Sequence, residues 1–76
     1  MPKQYQDEAL LDKIILTLKE VRKMRGMTLE TIYFDTGIHI ARIEQGKTNI
    51  TVSTLAKLCA YYDIGLIDFF IKLYEK

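Results

Sequence analysis

Four glycines set the layout of this chain. Gly26, Gly37, Gly46 and Gly65 stand between stretches whose apolar residues recur at helical spacing, and no stretch of strand length alternates apolar with polar residues. The pattern predicts five helices, over about residues 7–25, 28–36, 39–45, 51–62 and 66–74. The expected class is all-α, a single five-helix domain over residues 1–76.

Each segment carries its own signals. In the first, Leu10, Leu11, Ile14, Ile15, Leu18 and Val21 form one broad apolar stripe. Acids open it and Lys and Arg close it, complementing the helix dipole. Thr28 and Thr51 are good N-caps, because a hydroxyl accepts a bond from an early backbone N–H. Leu29, Ile32 and Tyr33 give the second segment an i, i+3, i+4 stripe. Ile40 and Ile43 share a face of the short third. Val52, Leu55, Ala56, Leu58, Cys59 and Tyr62 supply the buried side of the fourth. Leu66, Phe69, Phe70, Leu73 and Tyr74 make the fifth greasy for so small a chain.

Composition excludes several function classes. Cys59 is the only cysteine and His39 the only histidine, so neither an internal disulfide nor a four-ligand zinc site can form. No third partner completes a nucleophilic triad with them, and no Walker or Rossmann glycine loop is present, so the chain does not read as an enzyme. No cofactor, metal or small-molecule substrate is implied. The polar N-terminus lacks a signal peptide, and no apolar run approaches the roughly 20 residues that span a bilayer. With a lone thiol, these features give a cytoplasmic expectation and no membrane partner.

The net charge is only +1, but its distribution is uneven. Lys19, Arg22, Lys23 and Arg25 cluster around Glu20, while acids gather toward both ends. Two short helices joined by a tight glycine turn, followed by another glycine-marked loop, are what a helix-turn-helix requires. Ile32, Ile38 and Ile43 would fill the space between the two helices.

The residues also carry a resemblance. Leu18-Lys19-Glu20-Val21-Arg22-Lys23-Met24-Arg25-Gly26-Met27-Thr28, Thr36-Gly37-Ile38-His39, Arg42-Ile43-Glu44-Gln45-Gly46-Lys47 and Ile64-Gly65-Leu66-Ile67-Asp68-Phe69-Phe70 are similar to the Cro and phage-repressor helix-turn-helix family. The similarity covers about residues 16–70, roughly three quarters of the chain, and residues 42–47 are its most specific part. It implies a lambda-repressor-like DNA-binding domain acting as a small transcriptional regulator. It further implies a structural ion pair between Arg22 and Glu44, and phosphate contacts from Lys47, Thr48 and Asn49. His39, Ala41, Arg42 and Gln45 are the base-reading candidates on the third helix. Thr28, Lys23 and Arg25 complete the DNA set. Phe70, Leu73 and Tyr74 are expected at a homodimer interface, which would place two reading helices on a palindromic double-stranded site.

Two departures from the family pattern matter. About three residues are missing between Gly37 and Gly46, just after His39, which removes about 4.5 Å of helix and leaves a net rotation near 60°. Ile40 and Ile43 can still face inward, but the reading end is truncated. Leu29 stands where the family often has a phosphate-bonding glutamine. The shortened helix and small net charge favour an alternative, a protein-interaction or antitoxin-like module that keeps the fold with little sequence reading.

Overall fold

The computed structural model describes residues 7–46 and 49–75. These residues hold five helices and no strand: α1 (Glu8–Met24), α2 (Leu29–Thr36), α3 (Ile40–Glu44), α4 (Val52–Tyr61) and α5 (Leu66–Tyr74). The first, second and fourth begin on side-chain caps. The Asp7 carboxylate accepts from the Leu10 N–H at 3.0 Å, Thr28 from Thr31 and Thr51 from Thr54. Each cap satisfies one of the N–H groups that a helix start leaves unpaired.

One core serves all five helices. Ile14, Ile15, Leu18 and Val21 of α1 meet Ile32, Ile40 and Ile43 of the helix-turn-helix, then Leu55, Leu58, Cys59 and Tyr62, then Phe69 and Leu73. Thr17 is fully buried, and its hydroxyl donates to the Lys13 carbonyl at 2.7 Å, so it leaves no bare polar atom. In α4 the stripe is narrower than its sequence suggests. Val52 and Ala56 are exposed, because the face through Leu55, Leu58 and Cys59 docks inward.

The end of the chain corrects one expectation. Leu73 does not stand at an outward dimer interface: it is only 1 % exposed and packs in the core with Phe69. Phe70 is half-buried, its ring edge-on to Phe69 at 5.5 Å. The outward residues of α5 are Ile67, Ile71 and Tyr74, at i, i+4 and i+7, with Leu66 partly exposed beside them. The side chain of Lys13 lies over the Tyr74 ring, 5.6 Å from its centre.

One buried group is left wanting. The Tyr62 hydroxyl finds no hydrogen-bond partner among the described residues. Burial, with the Glu44 charge nearby, pushes its ionisation far above that of an ordinary tyrosine. An unpaired buried hydroxyl costs about 1–3 kcal/mol. Tyr62→Phe is therefore expected to stabilise the fold by about 1 kcal/mol and raise Tm by about 4–8 °C. A lower Tm in a thermal melt would mean that the hydroxyl is satisfied.

Candidate nucleic-acid interface

The turn between α2 and α3 is built from Thr36, Gly37, Ile38 and His39. Thr36 stitches it locally, with its hydroxyl donating to the Ile32 carbonyl and accepting from the Ile38 N–H at 3.0 Å. Gly37 ends α2 at φ 75°, a left-handed conformation that an L side chain resists, and its N–H donates to the Tyr33 carbonyl. α4 fastens the end of α2 from the side. Lys57 Nζ donates to the Thr36 carbonyl at 3.2 Å, and the Tyr61 hydroxyl donates to the Asp35 carboxylate. That carboxylate raises the Tyr61 pKa.

The register of α3 is set from below by α1. Arg22 Nε donates to Glu44 Oε2 at 2.6 Å and Arg22 Nη2 to Glu44 Oε1 at 3.0 Å, a two-pronged ion pair. Arg22 Nη1 also reaches the Met27 carbonyl at 3.0 Å. One side chain thus ties the loop before α2 to the end of α3. The hydrogen bond to Glu44 raises the Arg22 pKa. Both side chains are largely shielded, at 13 % and 8 % exposure, so water does little to screen the pair.

What this framework presents outward is a short helix and a polar loop. His39 precedes α3 without a side-chain capping bond, and its ring stacks on Tyr33 at 4.4 Å and 30°. Ala41 and Arg42 are exposed and Gln45 is exposed beside the loop. No carboxylate among the described residues pairs with Arg42. His39, Arg42, Asn49, Thr51 and Thr54 line one shallow concavity of about 220 Å³ between α3 and the start of α4. A guanidinium, an imidazole and an amide border it together with Ile43 and Ile50, and these three groups can donate to phosphate oxygens and base edges, while the Thr51 hydroxyl already donates to Thr54.

The remaining candidates divide. Lys47 and Thr48 lie outside the described residues. Lys23 is exposed at the end of α1. Thr28 caps α2, and its hydroxyl also donates to Thr31. Arg25 is exposed and is engaged on the chain's own carbonyls. Its Nε donates to the Tyr62 carbonyl at 2.8 Å and its Nη2 to the Asp63 carbonyl at 3.3 Å, so the guanidinium closes the end of α4. Cys59 is buried, and burial pushes its thiol pKa up, away from a reactive thiolate.

Sequence reasoning misses three members of this surface. Thr51 and Thr54 form a cap pair beside Asn49, and a threonine repeated three residues on is the available signal. Tyr33 stacks on His39, and the signal is an aromatic ring four residues after Leu29 on a short helix.

A family model described as helix-turn-helix matches residues 18–69. No curated protein and no solved structure matches the chain. Among the described residues no helix is long and apolar enough to cross a membrane.

Proposed function

This chain belongs to the Cro/C1-type helix-turn-helix family, and we infer that it binds DNA through the face of α3. Such domains are DNA-binding regulators and generally not enzymes. The finer reading is that this chain reads a specific double-stranded sequence as a cytoplasmic homodimer on a palindromic site. The observation that carries it is the meeting of His39, Arg42, Asn49 and Thr51 on one face, over an α3 held in register by Arg22 and Glu44.

In this reading α3 enters the major groove while α2 crosses the backbone. Arg42 bonds a base edge, with a guanine O6 and N7 the best match to its fork. Ala41 touches a thymine methyl, and His39 and Gln45 contact neighbouring edges. Asn49 with Lys47 and Thr48 grips phosphate, as does Lys23, and Thr28 contributes its backbone N–H, since its hydroxyl already donates to Thr31. The dimer forms through the outward face of α5, where Ile67, Ile71 and Tyr74 leave a contiguous apolar ridge. A second reading, a protein-interaction module, draws support from the net charge of only +1 and from an α3 of five residues.

Selection of bound fragments from random duplex DNA tests the proposal. The expected product is an inverted repeat with half-site centres about 10 bp apart. Ile71→Asp, at a half-exposed position, is expected to sediment as a monomer and to lose about 100-fold or more in affinity for the repeat while still enriching the half-site. A variant that remains dimeric and keeps the full repeat would remove α5 from the interface. Fragments without any shared sequence would favour the interaction module.

A further inference from the structure

Beside the concavity that holds Arg42 lies a more strongly apolar surface. Leu29, Tyr33 and Phe34 of α2 form one wall of an open groove of about 630 Å³, and His39 and Ala41 stand on the other. Phe34 is 88 % exposed and Tyr33 49 %, so the core does not absorb these rings. The groove is continuous with the reading face, since His39 lines both it and the concavity that holds Arg42.

The length of α3 explains what the groove offers. With five residues, the helix is about 7.5 Å long, and its first two, Ile40 and Ala41, carry no polar side chain to extend toward a base. The stacked rings of Tyr33 and His39 occupy that end instead. Bases present one apolar group in the major groove, the C5 methyl of thymine. An apolar wall gains by covering that methyl, and it loses wherever it strips water from an amino or carbonyl edge without replacing the bond.

We propose that the Tyr33–His39 stack, with Leu29 and Phe34, reads thymine C5 methyl groups and so adds a sequence preference beside that of Arg42 on the short α3. The proposal rests on the DNA-binding reading of α3 and adds α2 side chains to the specificity set.

The test uses two random duplex libraries, identical except that one carries thymine and the other 2′-deoxyuridine, which pairs alike and lacks only the methyl. The thymine library is expected to yield a thymine-bearing consensus. Replacing each contacted thymine of that consensus by deoxyuridine is expected to weaken binding roughly fourfold per methyl covered. Tyr33→Ser and Leu29→Gln, at exposed positions, are expected to remove the thymine preference at the steps they cover and leave only that of the methyl under Ala41, and Phe34→Ser, the most exposed of the three, guards against a folding defect. Equal affinity for thymine and deoxyuridine duplexes overturns the methyl reading and leaves DNA binding standing. A preference of undiminished size after all three substitutions also overturns it. Retention of neither library at low salt overturns this proposal together with the DNA-binding reading. If the substitutions change the sedimenting mass but neither duplex affinity, the groove takes protein, and the proposal fails.

Discussion

Glu44→Ala is expected to cost about 2–4 kcal/mol of stability, and to lower Tm on the order of 10–25 °C in a domain of this size. The cost exceeds that of an ordinary surface pair because the Arg22 guanidinium keeps two prongs on Glu44 in a place that water barely reaches. Removing the carboxylate strands a shielded cation beside the core. A domain of this size commonly has only about 4–11 kcal/mol in total, so the variant stands close to unfolding. Glu44→Gln should lose less, since the amide oxygen can still accept one of the two bonds. The Arg22→Ala, Glu44→Ala double variant should be more stable than the sum of the single losses implies, by about 1 kcal/mol or more. A Glu44→Ala variant within about 0.5 kcal/mol of the parent by chemical denaturation, the range of an ordinary surface substitution, would mean that the ion pair is ornamental.

Arg42→Ala is expected to weaken binding to the selected site about 5- to 150-fold, the value of one good base contact. Binding to random duplex should fall far less. The reasoning is geometric. Arg42 is exposed on α3, lines the concavity shared with His39 and Asn49, and has no carboxylate partner among the described residues that would hold it back. Its loss should leave Tm nearly unchanged, which separates it from Glu44 two residues later. Equal losses on specific and random duplexes in a competition assay would assign Arg42 to phosphate alone.

Much of this architecture is legible in the order of the residues alone. The caps at Thr28 and Thr51 and the breaks at Gly26, Gly37 and Gly46 place the helices to within about a residue, because each signal acts on its own few backbone bonds. The contact between Arg22 and Glu44 follows from resemblance rather than from local chemistry. What escapes a sequence reading depends on how helices dock. In α5 the apolar residues cover more than half the circumference, opposite Asp68 and Lys72, so periodicity marks the polar side but cannot say which part of the apolar side is core. Docking on α1 and α4 buries Phe69 and Leu73 and leaves Ile67 and Ile71 outside. Arg25 looks like any terminal basic residue until the chain, turning through Asp63 at φ 59°, brings the carbonyls of Tyr62 and Asp63 to it. The stack of Tyr33 on His39 depends on how the turn at Gly37 brings His39 back beside α2, which has no local signature.

The central claim is that duplex DNA meets the protein on the α3 face. It is tested most directly by titrating the isotope-labelled full chain with the selected duplex and mapping backbone amide shifts. Perturbations gathered on His39, Ala41, Arg42, Gln45, Asn49 and Thr51, with Tyr33 beside them, are the predicted result. Perturbations confined to the α5 ridge of Ile67, Ile71 and Tyr74, with α3 silent, would contradict it.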